Sequence, residues 1–450
     1  MRSKMKAILL VLASIMIMAG CSSNTANNGG SAAPASNEPA AAENGGAAST
    51  DEKVELTFYY PVAVGGPLTQ IIEQMAADFT KENPNITVKP VYTGSYDDTM
   101  IKTQASVQGK TPPDVAVLLS TELYTLLDMD AIVPLDDMIA ADGGDEYIND
   151  FYPGFMANSQ TGGQTWGIPF QRSTIVLYYN KEAFKAAGLD PEKAPKTWDE
   201  LADYAKKLTK DGQWGLEIPT TGFQYWMFQT FALQNGKNLM SDDGKQVFFN
   251  TPENVEALAF WRDLSAVHKA MPEGSIEWAT VPSDFIEGKT AMMYHTTGNL
   301  TNVKNNAQFD FGVSILPASK QHGTPTGGGN FYIFKGTSEA KQQAAWKFIK
   351  FMTEPERMAQ WSIDTGYVAP RESAYETEKM KAYTAEFPQA LVARDQLQYA
   401  SAELSTHNNG KVVKAFNDSL QSVLTGGADP AAALQKAQEE ADKVLAPFNK

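Results

Sequence analysis

From Val54 onward the chain alternates short apolar runs with amphipathic ones. Val54–Tyr60 (VELTFYY) carries large apolar groups at every second position, the period of a half-buried strand. A Gly-Gly-Pro turn at Gly65–Pro67 opens a predicted helix through Phe79, and Ile86–Tyr92 predicts a second strand. A helix over Asp97–Gln108, a strand at Val115–Leu119 and a short helix ending near Asp128 follow. After Pro153, two strands are predicted at Thr165–Pro169 and Thr174–Tyr179, then a helix from Lys181 to Gly188. Thr197-Trp-Asp-Glu200 has the spacing of a capping box and begins a helix through Lys210. Thr251 followed by Pro252 starts another, whose apolar residues Val255, Leu258, Ala259, Trp261 and Leu264 keep helical spacing. Phe309–Leu316 and Phe331–Phe334 read as strands around the glycine-rich Thr326–Asn330, and Ala340–Met352 reads as a helix. Strands alternating with helices in this way build α/β layers. About 400 residues are too many for one simple core, so two lobes are expected.

The N-terminus follows a different pattern. Arg2, Lys4 and Lys6 precede the apolar run Ala7–Met18 and the small pair Ala19-Gly20, the layout of a secretory signal peptide. That run is too short to cross a bilayer core, which needs roughly 20 residues. Met18-Ala-Gly-Cys21 resembles a bacterial lipobox, which implies that Cys21, the single cysteine of the chain, is diacylated and becomes the mature N-terminus. From Ser22 to Glu52 there is no Val, Ile, Leu, Met or aromatic residue, so this stretch is expected to be a disordered spacer. As a coil it would reach on the order of 30 Å. With Cys21 committed to lipid, no disulfide forms within the chain. The formal charge of −16 becomes −19 once the three leader cations are removed, which disfavours nucleic acid and anionic lipid surfaces as partners.

Catalytic and metal-binding motifs are missing. There is no Gly-x-Ser-x-Gly elbow, His-Glu-x-x-His pair, phosphate-binding P-loop or dinucleotide fingerprint. His268, His295, His322 and His407 are scattered singly, away from metal-ligand spacing. The acid pairs Asp97-Asp98, Asp136-Asp137 and Asp242-Asp243 have the residue types of glycoside hydrolysis, but each reads first as a solvated turn or helix edge. Gly327–Gly329 reads as an anion-cradling nest or, more simply, as a turn or hinge. Neither a cofactor nor a metal is expected.

Several stretches together resemble one family. Gly167–Asp190 (GIPFQRSTIVLYYNKEAFKAAGLD) and Pro195–Leu201 (PKTWDEL) are similar to extracellular solute-binding proteins of ATP-binding-cassette importers. Phe285–Met293 (FIEGKTAMM), Phe311–Pro317 (FGVSILP), Gly327–Gly336 (GGGNFYIFKG), Phe348–Glu356 (FIKFMTEPE) and Trp361–Pro370 (WSIDTGYVAP) carry the same likeness in family order. Within the family the chain most resembles the glycerol-3-phosphate-binding branch, with maltose-binding proteins more distant. The resemblance implies a two-lobe α/β periplasmic-binding-protein-like (type II) fold whose hinge crossovers close on a ligand in the interlobe cleft. Crossovers are expected near Gln171–Ser173, His322–Thr326 and Tyr367–Glu372. The implied organisation is a leader at 1–20, an anchored spacer at 21–52, one lobe of 53–171 with 324–369, and the other of 172–323 with 370–450. It further implies a monomer at the outer face of the cell membrane that delivers a small solute to membrane permease subunits.

Ligand positions carry over unevenly. Tyr96, Ser173, Gly328 and Tyr367 stand where the glycerol-3-phosphate branch contacts its ligand, and Thr296 or Thr297 falls at a serine contact. The branch's acidic residue aligns with Ser120 and its arginine with Ser405, so the bidentate phosphate clamp is lost. Arg172, next to Ser173, is the candidate replacement cation. Tyr59, Tyr60, Phe223, Tyr225 and Trp226 fall in or beside loops that line the family's cleft, and Gly222–Trp226 is the best local platform for a sugar ring. A mono- or oligosaccharide is therefore the favoured ligand. A glycerol phosphate or glycerophosphodiester, a secreted carbohydrate-active enzyme, and an iron binder using Tyr178-Tyr179 are the competing readings.

Overall fold

A computed structural model describes residues 53–449. The expectations for the leader, Cys21 and the spacer lie outside the described residues. Val54–Tyr60 pairs in parallel with Ile86–Tyr92 on one side and Val115–Leu119 on the other. Its alternation has the predicted consequence: Leu56, Phe58 and Tyr60 are fully buried. The helix Leu68–Glu82 covers them with Leu68, Ile72, Ala76 and Phe79, an apolar stripe at helical spacing. Phe348, on the helix Glu339–Met352, meets Phe58 and Phe79 edge to face at 5.2 and 5.1 Å, locking sheet to helices.

Two long antiparallel strands cross the molecule. Ile168–Asn180 is one strand of 13 residues, every one buried, where two separate strands were expected. Its first half pairs with Thr324–Ile333, and its second with Met292–Thr296 and Phe311–Ser314. The polar triplet Gln171-Arg172-Ser173 reads in sequence as a break, but the Gln171 amide oxygen accepts from Tyr96 and the Arg172 terminal nitrogens donate within the sheet. Thr324–Ile333 in turn reaches Val115–Leu119, so the glycine triplet sits inside a strand rather than in a turn. Gly328 has φ +97°, and a Cβ there would overlap the carbonyl oxygen of Gln171. A third segment crosses alongside, where Val368 N–H donates to the Arg172 carbonyl at 2.8 Å. The fold is therefore the two-lobe α/β architecture with crossing strands between the lobes.

Around the Ile175–Asn180 half lies a helical layer. The helix Gln224–Gln234 is buried on nearly every face, and Phe231 stacks on Trp261 and Tyr294. Thr197 caps the helix Trp198–Leu208 by accepting from Glu200 N–H at 3.2 Å. The Glu200 carboxylate accepts from Lys196 N–H rather than from the capping residue, so the predicted box closes one residue early. Among the described residues no helix is long and apolar enough to cross a membrane.

Candidate ligand cleft

The crossing strands form the floor of a cavity enclosing about 320 Å³ of empty space, its open mouth included. Each wall is placed by a local structural reason. Ser95 caps the helix Tyr96–Gln108 in a reciprocal box with Asp98, which sets Tyr96 on the first turn facing inward. Leu119 ends its strand at the wall, while Ser173 and Gly328 come from the paired crossing strands. Tyr367 follows Gly366, whose φ of +92° ends the helix Pro355–Thr365 in a left-handed cap. Tyr367 stacks on Trp361 with ring centroids 5.8 Å apart. Trp226 is held by its indole N–H donating to the Thr326 carbonyl at 2.9 Å. Trp278 donates to the Ala63 carbonyl at 3.1 Å and packs on His295 at 3.9 Å between centroids. Burial drives His295 down to about 3, so its ring is neutral.

Seven of the expected residues meet at this cavity: Tyr96, Ser173, Phe223, Trp226, Thr296, Gly328 and Tyr367. The other expected residues do not line it. Tyr60 is buried in the first lobe with its hydroxyl donating to Glu73 at 3.1 Å. Ser120 is buried just past Leu119, and its carbonyl accepts from Tyr332 at 3.5 Å. Thr297 is buried beneath Thr296. Tyr225 lies behind the wall and faces an adjoining outer depression. Arg172 is turned into the hinge, where it donates to the Gly328 carbonyl at 3.1 Å, Asn330 Oδ1 at 3.3 Å and Thr326 Oγ1 at 3.0 Å. Burial lowers its pKa to about 10, which leaves it charged at neutral pH. It ties the crossing strands together instead of reaching into the cavity.

Besides Ala63 and Val64, two wall residues had no reading in the sequence. Trp278 stands in a loop free of helical or strand periodicity, and an aromatic in such a loop was the available signal. Glu403 gave none, because nothing in Ala-Glu-Leu-Ser foretells a buried acid. It is 1% exposed, accepts a hydrogen bond from the Tyr225 hydroxyl on Oε1 at 2.7 Å, and its Oε2 has no partner. Burial pushes its pKa up to about 8, against the pull of the Tyr225 bond and of Arg172. Glu403 is the single carboxylate on the wall, so the paired acids of a glycosidase are not assembled there. Asp98 and Asp136 are instead engaged with Ser95 and with Thr165 N–H. The Tyr178 hydroxyl donates to the Thr296 carbonyl at 2.9 Å, in the core.

Aromatic walls over crossing strands, with few charges, have the make-up of a small-molecule cleft. Residues 74–389 match the family model for bacterial extracellular solute-binding proteins. The chain belongs to that family. The sn-glycerol-3-phosphate-binding periplasmic protein UgpB of Shigella flexneri serotype 5b is 30% identical over 86% of this chain and 91% of its own length. Its counterpart in Escherichia coli strain K12 is 29% identical with the same coverage. Among solved structures, UgpB from Mycobacterium tuberculosis in complex with glycerophosphocholine superposes with a TM-score of 0.79 at 25% identity, over 88% of this chain and 99% of that one. An ABC substrate-binding protein from Listeria monocytogenes in complex with cycloalternan gives 0.76 at 25%, over 88% and 100%. These relatives are solute-binding transport proteins, and this solute-binding protein shares their two-lobe fold.

Proposed function

We propose that this solute-binding protein is the lipid-anchored receptor of an ABC importer and captures a carbohydrate between its lobes, without chemistry of its own. The observation that carries the reading is the wall itself. Phe223, Trp226, Trp278, Tyr96 and Tyr367 offer aromatic faces to the apolar side of a sugar ring, while Ser173, Thr296 and Glu403 offer polar groups to its hydroxyls. Arg172 pairs with both Gly328 and Val368, which supports lobe boundaries near 171–172, 323–324 and 369–370. Anchoring through Cys21 would hold the lobe pair at the outer membrane face, within reach of its permease.

A second reading, a glycerophosphodiester ligand, is favoured by the names of the curated relatives and of one structural neighbour. A thermal-shift series separates the two. A ligand at 100 times its dissociation constant stabilises by about 2.7 kcal/mol. Sugars are expected to raise the melting temperature; a response confined to glycerophosphodiesters would establish the second reading. Tyr367→Ala is expected to abolish the ligand-dependent shift, and an undiminished shift would remove Tyr367 from the site.

A further inference from the structure

The charged groups around the cavity are arranged asymmetrically. Among the residues on its wall none is Lys, Arg or His, and the one ionisable acid is Glu403. Glu403 is held from two sides: Asn158 Oδ1 accepts from its backbone N–H at 2.8 Å, and Asn158 Nδ2 donates to its carbonyl at 3.0 Å. One carboxylate oxygen is engaged by Tyr225, and the other is buried with no partner. A buried polar atom without a partner is costly, so its retention points to a ligand group that completes it. The nearest cation, Arg172, has its guanidinium committed to Gly328, Asn330 and Thr326 on the hinge side. Two residues further on, the Ser405 hydroxyl donates to the Thr121 carbonyl at 2.8 Å and is likewise turned away from the cavity.

We infer that Glu403 is the specificity-determining residue of the cleft, selecting an uncharged polyhydroxy solute and rejecting phosphate monoesters. This rests on the carbohydrate reading above and narrows it to neutral ligands. The chemistry works in either protonation state. An ionised Glu403 accepts from a ligand hydroxyl, and a protonated one donates to a hydroxyl or ring oxygen; a sugar or polyol serves both. A phosphate would bring negative charge against a wall that carries no Lys, Arg or His, beside a group that is never positive and that repels it when ionised. That is an unpaired buried charge. Discrimination by a group that the wrong ligand leaves unsatisfied is far stronger than discrimination by fit.

The test titrates the full-length protein with ribitol, D-glucose, maltose and sn-glycerol-3-phosphate, following melting temperature and tryptophan fluorescence. At least one neutral probe is expected to bind and glycerol phosphate to give no response. Glu403→Gln is expected to weaken the neutral probe about tenfold, since an amide offers one accepting oxygen and a fixed donor where the carboxyl can accept or donate through either oxygen. Glu403→Arg should acquire a response to glycerol phosphate. A wild-type response to glycerol phosphate matching that of the neutral probes overturns the inference but leaves the importer receptor standing. So does Glu403→Gln with unchanged affinity. Silence toward all four probes overturns this inference and the carbohydrate reading together. The wild-type comparison decides the matter by itself if either variant fails to fold.

Discussion

Arg172 shows how one residue can be structural in a place where a ligand contact was expected. Its guanidinium satisfies a backbone carbonyl, an amide oxygen and a hydroxyl, and lies 5.2 Å from the Phe155 ring centroid. Arg172→Ala would leave all three acceptors buried without a donor. A loss of about 3 kcal/mol or more is expected in urea unfolding, with no change in ligand preference among the molecules that still fold. The buried acids carry a pH signature. Burial raises Glu403 to about 8 and Glu217 to about 7, so in the folded state they keep protons that the unfolded chain has released. Their contribution is complete below the unfolded carboxylate range and is lost as pH rises toward 8. His295, lowered to about 3, works the other way, contributing above about 6.5 and losing that contribution as pH falls. Between pH 6.5 and 8 only the acids change, so the melting temperature of the unliganded protein should fall across that window. Glu403→Gln should make the fall shallower; an unchanged slope would assign it to other groups.

At the scale of elements, the helix Tyr96–Gln108 was read from its sequence to within one residue, because capping and periodicity are local. The same cap fixes the direction of Tyr96, whose hydroxyl donates to Gln171 Oε1 at 2.7 Å across to the crossing strand. Ser95→Ala should cost about 1 kcal/mol in thermal or urea unfolding. It should also weaken ligand binding, because Tyr96 loses its fixed platform; unchanged binding would show that the strand contact alone positions the ring. The crossing strands were harder to read. A segment buried on both faces loses the alternation that marks a strand, so Ile168–Asn180 was expected as two pieces. Gly327–Gly329 reads as a turn because glycine usually supplies freedom, whereas here it supplies room. A side chain at Gly327 would collide with the Trp226 ring.

At the scale of the molecule, side chains far apart in sequence bridge across the chain. Besides the Trp278–Ala63 bond, Asn299 Oδ1 accepts from Gly65 N–H at 3.4 Å, and His407 meets Asp128 at 2.8 Å, two residues that do not line the cavity. Asp128 also accepts from Asn408 N–H at 3.3 Å, which makes it a latch between segments distant in sequence. A ligand shifts such an equilibrium only by its preference for one state. Asp128→Ala should therefore enlarge the radius of gyration of the unliganded protein in small-angle scattering, while saturating ligand restores compactness. Identical scattering for variant and wild type would show that the latch does not hold the lobes together.

The sequence by itself determined the layered α/β class, the helix caps and the family likeness, since periodicity, capping and motif order are properties of neighbouring residues. The resemblance to the solute-binding family implied that Tyr96, Ser173, Thr296, Gly328, Tyr367 and the Phe223–Trp226 aromatics share one cleft, and the first five, with Phe223 and Trp226, do line one cavity. Only the tertiary structure decided that Arg172 belongs to the hinge and that Glu403 and Trp278 belong to the wall. Burial and partnership depend on what distant segments bring alongside a residue. A glutamate in Ala-Glu-Leu-Ser looks like any solvated acid until Tyr225, 178 positions away, donates to one oxygen and the other is buried without a partner.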